Sequence, residues 1–94
     1  MFPRQAGITP LLSASEQGRL EVCKVLLAAK ASVAAASEDG QLPLHKAVVG
    51  NHVEVVELLV EHSPGEKRVR DRAGRLPREL AEQLHLAHLV QKLQ

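Results

Sequence analysis

Hydrophobic and polar positions along the chain repeat one short pattern, which is clearest in the segment that begins at Pro43. Proline fixes φ near the helical value and lacks the N–H that a first helical residue leaves unpaired, so a helix is predicted to begin there. Leu44, Ala47 and Val48 follow at i, i+3 and i+4 spacing and predict one buried face. Asn51 tolerates the left-handed conformation that ends many helices. The pattern therefore predicts a short amphipathic helix, a tight turn and a second helix.

The second helix of each copy is more apolar than one buried stripe requires. In the middle copy it carries Val55, Val56, Leu58, Leu59 and Val60, and in the first copy Val22, Val25, Leu26 and Leu27. A helix that is apolar around most of its circumference needs neighbours on two sides. A stack of helix pairs supplies those neighbours.

Three similar openings set the period of the stack. They begin at Gly7, Gly40 and Gly74, which are spaced 33 and then 34 residues apart. Pro10 and Pro77 occupy the position of the helix-starting proline in the other two copies. Self-similarity at this period is typical of stacked supersecondary units that present an extended surface.

The repeated motifs resemble those of the ankyrin-repeat family. They are Gly-x-Thr-Pro-Leu from Gly7, the segment 18–27 and the segment 51–59, in which Glu-Val and Leu-Leu recur in the same order. The resemblance implies an all-α solenoid of antiparallel helix pairs joined by β-turn fingers, with a concave groove lined by fingers and inner helices. We interpret residues 1–94 as a single ankyrin-repeat domain, with repeats at approximately 4–36, 37–70 and 71–94.

The family's Thr-Pro-Leu-His tetrapeptide is complete in none of the three copies. Thr9 lacks its histidine because Leu12 stands there, and His45 lacks its threonine because Leu42 stands there. In the family these two side chains hydrogen-bond and brace the turn. The resemblance therefore predicts weakened bracing.

Other departures fall at the ends of helices. Lys30 and Ser63 stand where the family has a helix-ending glycine, and a left-handed non-glycine residue carries strain. One extra residue in the segment that contains residues 64–65 predicts an irregular finger. The third copy has residues 78–79 in place of Leu-His, and its solvent-side positions are polar, so we interpret it as a degenerate C-terminal cap.

The first copy lacks a polar N-terminal cap in the sequence. The few residues before it are too short for a helix pair, so Ile8, Leu12, Leu20 and Val25 are predicted to lie on an uncovered apolar flank. Three interpretations remain: the chain is part of a longer ankyrin array, the flank associates with itself or a partner, or residues 1–4 cover it.

Composition and charge indicate an intracellular protein. The 94 residues carry a net charge of +1, and the single cysteine, Cys23, lies in an apolar run, which fits a reducing compartment. No segment has the apolar length of a membrane span, and no signal peptide is recognisable. We expect a cytoplasmic or nuclear location and no membrane association.

Candidate chemistry is sparse. His85 and His88 stand at i, i+3, a spacing that suits two metal ligands, but no companion ligand is evident. His45 and His52 match structural histidines of the family, and Cys23 matches a buried valine, so a core thiol is predicted. No nucleophile elbow or phosphate-binding glycine loop occurs. We therefore predict no catalytic residue, no cofactor and no metal, although a segment of a larger enzyme chain remains a remote alternative.

Charge is segregated between successive fingers. Half of the 12 basic residues lie between Lys67 and Arg78, whereas the preceding finger carries Glu38 and Asp39 and its repeat adds Glu54, Glu57 and Glu61. The groove is predicted to be basic at one end and acidic at the other, an arrangement that steers encounter and sets register. The predicted partner-binding residues are Gln5, Ile8, Glu16, Gln17, Glu38, Asp39, Gln41, Val49, Arg70, Arg72 and Arg75.

The leading functional hypothesis is a non-catalytic module that binds a protein or peptide with acidic residues. Nucleic acid is disfavoured because Phe2 is the only aromatic residue, which leaves no stacking platform. The alternative hypothesis is a structural or oligomerisation element that associates through the apolar N-terminal flank.

Overall fold

The computed structural model describes residues 9–94, and these residues form helices and turns with no strand. The helices are α1 (Pro10–Gln17), α2 (Leu20–Ala28), α3 (Pro43–Val49), α4 (Val53–His62), a 3₁₀-helix (Pro64–Arg68), α5 (Pro77–Gln83) and α6 (Ala87–Lys92). The all-α prediction is confirmed.

The helices form two layers. In the inner layer α1 packs on α3 and α3 packs on α5, and in the outer layer α2 packs on α4 and α4 on α6. Each inner helix also contacts the outer helix that follows it in the chain. The chain is thus a stack of three helix pairs, as the repeat predicts.

Each inner helix begins at the proline that the sequence predicts. Pro10, Pro43 and Pro77 all lie in the first turn of their helices. The Thr9 hydroxyl accepts a hydrogen bond of 3.1 Å from the backbone N–H of Leu12, so α1 also has a side-chain cap. The prolines and this cap explain where the inner layer starts.

Left-handed residues end the inner helices or lie just beyond them. Gly18 has φ 74°, Asn51 has φ 58° and His85 has φ 60°. The reversal at each of these residues turns the chain into the outer helix. The predicted stops at Gly18 and Asn51 are confirmed.

The core lies between the two layers. The inner helices contribute small and branched residues to the core, and the outer helices contribute aliphatic residues. None of these side chains is more than 4% exposed, and they include Leu11, Ala14, Leu44, Ala47, Val48, Val55, Val56, Leu59, Leu80, Ala81 and Leu89. Small residues at Ala14, Ala47 and Ala81 let neighbouring inner helices approach closely. Burial of each large aliphatic side chain contributes about 1.5–3 kcal/mol.

One of the two predicted strained positions is confirmed, and the other is wrong. Lys30 has φ 67° at the end of α2, as its place in the repeat predicts. Ser63 has φ −145° and is extended. Pro64 explains the difference, because the ring of a proline pushes the preceding residue towards extended conformations. The chain then enters the 3₁₀-helix, so the predicted irregularity lies in the segment that leads to the finger and not in the turn itself.

The prediction for the N-terminal flank is partly wrong. Val25 is 67% exposed and Val22 is 42% exposed, but Leu12 is only 1% exposed. The position of Leu12 corresponds to that of His45, whose ring faces the following finger and not the N-terminal end of the stack. Leu20 is half-buried, and Ile8 lies outside the described residues.

Candidate functional site

The arginine finger, defined here as residues 70–75, is a tight hydrogen-bonded turn. The Asp71 N–H donates to the Arg75 carbonyl oxygen at 2.9 Å, and the Gly74 N–H donates to the Asp71 carbonyl oxygen at 2.9 Å. Gly74 has φ 83°, a conformation that glycine adopts without steric cost. The backbone of the finger is therefore fixed by its own turn.

The Asp71 side chain holds this finger from the inside. Its carboxylate is 1% exposed and accepts hydrogen bonds from the Arg75 N–H at 2.9 Å and from the Arg75 Nε at 3.1 Å. Burial raises the pKa of Asp71, but the hydrogen bonds from the Arg75 N–H and the Gln41 amide, together with the Arg75 charge, lower it by more. The pKa of Asp71 is therefore below its ordinary value. The pair thus stabilises the ionised carboxylate.

The preceding finger, residues 37–41 and here called the acidic finger, is bound directly to the arginine finger. The Arg72 N–H donates to the Asp39 carbonyl oxygen at 2.9 Å. A Cβ atom on Gly40 would lie 2.6 Å from the Arg72 nitrogen, so only glycine permits this approach. The two fingers form one continuous surface.

Gln41 joins the two fingers from within and is not a contact residue. It is 5% exposed, and its side-chain amide donates to the Asp71 carboxylate at 3.2 Å. We therefore remove it from the predicted partner-binding set, because it has almost no surface to offer. Its role is to connect the fingers.

The three predicted arginines have different environments. The Arg75 guanidinium lies 3.1 Å from the Asp71 carboxylate and is partly buried. The Arg70 guanidinium donates to the Gly74 carbonyl oxygen at 2.8 Å and lies 3.3 Å from the Glu79 carboxylate. Arg72 is exposed and forms no salt bridge with any residue in the range 9–94. Arg72 is therefore the cation of this finger with the most freedom to meet a partner.

Acidic residues flank Arg72 on the preceding finger. Glu38 and Asp39 are both exposed. A hydrogen bond from the Ser37 hydroxyl is the main reason why the pKa of Asp39 is below its ordinary value, and Lys46 lies 3.6 Å from its carboxylate. Acidic and basic groups are thus neighbours at the finger tips.

The other predicted acidic residues do not lie at the fingers. Glu54, Glu57 and Glu61 belong to α4, in the outer layer. Glu57 lies 2.6 Å from Lys92 of α6 and so connects two outer helices. The prediction that these residues form an acidic end of the groove was wrong. It considered only their position in the sequence, whereas the groove is lined by the fingers and the inner helices and these residues lie on an outer helix.

The C-terminal ends of the inner helices supply the rest of the surface. Glu16 and Gln17 in α1 are exposed, and Val49 at the end of α3 is 48% exposed. Leu84, at the end of α5, is 43% exposed. The two remaining predicted residues, Gln5 and Ile8, lie outside the described residues.

His45 is a structural residue. It is fully buried, its Nδ1 accepts from the Leu42 N–H at 3.1 Å, and its Nε2 donates to the Arg75 carbonyl oxygen at 3.1 Å. Burial lowers the pKa of His45 and keeps the ring neutral. One ring therefore braces its own turn and the next finger without the missing threonine.

Glu79 braces its own turn in the third repeat, as His45 does in the second, which the sequence interpretation missed. Its carboxylate accepts from the Leu76 N–H at 2.9 Å, the same i to i+3 geometry that joins Leu42 and His45. The available signal was its register, because Glu79 follows Pro77 by two residues just as His45 follows Pro43.

Two further histidines connect neighbouring repeats. The His52 Nε2 donates to the Glu16 carbonyl oxygen at 2.8 Å, and the His88 Nε2 donates to the Asn51 side-chain oxygen at 2.9 Å. Both bonds reach from one helix pair to the preceding one. Within residues 9–94 no cluster of three or more potential metal ligands occurs.

Cys23 lies in the core, as predicted. It is fully buried, and its Sγ is 3.8 Å from the Ser15 hydroxyl. Burial raises the pKa of the thiol more than the contact with Ser15 lowers it. A thiol held in this protonated form is a poor nucleophile.

None of the helices in the described part of the chain is long and apolar enough to cross a bilayer.

Comparison with known proteins identifies similar sequences. A family model described as ankyrin repeats in three copies matches residues 2–71. Rabankyrin-5 of Mus musculus is 38% identical over 71 residues, which are 76% of this chain and 6% of that protein. An ankyrin repeat-containing protein of Schizosaccharomyces pombe is 35% identical over 75 residues, which are 80% of this chain and 36% of that protein. The chain therefore spans only a minor part of the length of these relatives.

Proposed function

Because the chain belongs to the ankyrin-repeat family, whose repeats are protein-interaction modules, we propose that its two fingers and inner-helix ends bind an acidic segment of a partner protein. The exposed guanidinium of Arg72 carries this proposal. It stands on a backbone fixed by the bond to the Asp39 carbonyl oxygen and by the Asp71 interactions. A cation held in this way pairs with a carboxylate at a smaller entropic cost than one on a mobile loop.

The neighbouring acidic residues define the register of the partner. Glu38 and Asp39 would repel a carboxylate that lay opposite the acidic finger, so the partner's acidic group faces Arg72 and a polar or basic group faces Glu38. Val49 and Leu84, at the C-terminal ends of α3 and α5, are exposed apolar side chains that the partner would also contact. This combination selects a partner by pattern more than by net charge.

Partner capture with Arg72→Glu is the sharpest test. Arg75→Glu would place a second carboxylate beside the buried Asp71, and Arg70→Glu would remove the bonds to Gly74 and Glu79, so both variants would perturb the finger itself. Arg72 has no comparable side-chain role among the described residues. Its substitution therefore separates binding from folding.

The capture uses the immobilised chain with quantitative mass spectrometry of the bound proteins. Proteins that bind through the fingers are depleted with Arg72→Glu and retained with Arg72→Lys. Lys24→Glu, at an exposed lysine of the outer-layer helix α2, is the matched control for the change in net charge. Equal capture by the wild type and Arg72→Glu would contradict the proposal.

A second function is favoured by the exposed valines of α2. Val22 and Val25 lie at i, i+3 on the surface of this helix and are 42% and 67% exposed. We propose that this pair contributes to self-association or to contact with a neighbouring ankyrin array. Sedimentation over a range of concentrations should show association that Val25→Glu reduces, whereas a strict monomer would contradict self-association.

A further inference from the structure

A basic recess lies at the C-terminal end of the stack, away from the finger tips. It has a volume of about 590 Å³ and is lined by the 3₁₀-helix, the base of the arginine finger, the start of α5 and the last residues of the chain. Its size falls within the range of pockets that hold small ligands or a short peptide segment.

Four cationic side chains surround this recess. They are Lys67, Arg68, Arg70 and Arg78, and no acidic residue lines it. The Arg70 charge is partly balanced by Glu79 at 3.3 Å. Lys67 donates to the backbone oxygen of Gln94 at 3.0 Å. The recess therefore concentrates positive charge in a chain whose net charge is only +1.

Arg68 and Arg78 are the two free charges of this group. Both are exposed, and neither forms a salt bridge with a residue in the described part of the chain. A guanidinium presents several N–H donors in a planar fork that matches carboxylate and phosphate oxygens. Two such groups around one recess suit a ligand with more than one anionic group.

Arg78 occupies a position that is leucine in the other two repeats. Arg78 follows Pro77, just as Leu11 follows Pro10 and Leu44 follows Pro43. Leu11 and Leu44 are 1% and 2% exposed, whereas Arg78 is exposed. An arginine at this register does not favour apolar packing of a further helix pair.

The recess also has an apolar part. Leu76 and Leu93 are among its lining residues, together with Pro64. A ligand that combines anionic groups with an aliphatic side chain would contact both parts. A flat anionic membrane would reach the rim more easily than these recessed leucines.

We propose that this recess binds an acidic peptide segment of a partner protein, with its carboxylate or phosphate groups on Arg68 and Arg78 and an aliphatic side chain against Leu76 and Pro64. The site is separate from Arg72 and the finger tips. The irregular connection through the 3₁₀-helix creates it, because Pro64 to Arg68 supply one wall. It is thus a second interaction surface built from the departures from the regular repeat.

The test is a titration of the ¹⁵N-labelled full chain with a short blocked peptide in which pairs of Glu alternate with Leu. The amide signals of Gly65, Leu76 and Leu93 report on the recess. They should shift together and saturate, and Arg68→Glu with Arg78→Glu should weaken the peptide affinity about tenfold or more, as expected for loss of charge-assisted contacts. Arg68→Gln with Arg78→Gln tests the same charges if the reversed variant fails to fold.

The matched control combines Arg19→Glu with Lys24→Glu, which makes the same change in net charge at α2 and its N-terminal end. This control and Arg72→Glu should bind the peptide like the wild type, which separates the recess from the finger surface. The proposal is overturned by affinity weaker than about 1 mM, by equal losses in the control, or by shifts scattered over all cationic surfaces. It is also overturned if inorganic phosphate or phosphatidylserine vesicles shift these signals and the peptide does not.

Discussion

Replacing Asp71 by asparagine tests whether charge-assisted hydrogen bonds hold the arginine finger. The substitution preserves size but turns an acceptor of bonds from Gln41 and the Arg75 guanidinium into an NH₂ donor. The pKa of Asp71 is lowered despite its burial, so favourable contacts outweigh the desolvation of the charge and its removal is destabilising. Loss of these contacts costs about 2–3 kcal/mol, a large share of the roughly 5–14 kcal/mol typical of a chain of this length.

Urea unfolding followed by circular dichroism measures this loss, since the chain has no Trp or Tyr for fluorescence. With a typical slope of about 2 kcal/mol/M the midpoint should fall by roughly 1 M. The depressed pKa also means that the wild type loses this stabilisation as the pH falls below the ordinary Asp value of about 3.9, a loss that Asp71→Asn should lack. Asp39→Asn, at an exposed carboxylate one finger earlier, should have a smaller effect. A midpoint change below about 0.3 M for Asp71→Asn would refute the reasoning.

Three further predictions concern the turns and the buried histidine. Gly18→Ala should lower the free energy of unfolding by about 2–3 kcal/mol in urea, because φ of residue 18 is 74° and the new Cβ would lie 2.3 Å from the His52 ring. Gly65→Ala is the control and should be nearly neutral, since its Cβ would meet no atom within 4 Å. Lys30→Gly should raise stability by about 0.5–1 kcal/mol, since it relieves the left-handed strain at φ 67°, and a loss would contradict this account. The pKa of His45 is lowered by burial, so below about pH 6.5 the unfolded chain binds more protons than the folded chain. The free energy of unfolding should therefore decrease as the pH is lowered. His45→Leu should flatten this dependence, and an unchanged slope would assign it to other groups.

Local sequence chemistry accounts for most of the fold. The prolines at 10, 43 and 77 start helices for backbone reasons that need no tertiary information. Gly18 and Asn51 likewise adopt the left-handed conformations that their residue types favour. The prediction for Ser63 was wrong for a local reason as well. It followed the position of Ser63 in the repeat, whereas Pro64 restricts the residue before it to extended conformations.

The site was less accessible to sequence reasoning because its contacts are long-range. Gln41 and Asp71 stand 30 residues apart, and their pairing depends on how two fingers stack. Register alone placed Gln41 on the surface, whereas the structure buries it beneath the turn. Similarly, the different environments of Arg70, Arg72 and Arg75 follow from which acceptors lie within reach, and a run of basic residues does not contain that information.

The affinity of a captured partner for the wild type and Arg72→Glu, measured by calorimetry at two salt concentrations, tests the central claim most directly. The account predicts about tenfold weaker binding for Arg72→Glu at low salt, a smaller ratio at high salt, and wild-type affinity for Lys24→Glu. Unfolding midpoints should stay equal, because Arg72 forms no side-chain bond with a residue of the described chain. Equal affinities of wild type and Arg72→Glu at both salt concentrations would contradict the claim that the finger surface binds the partner.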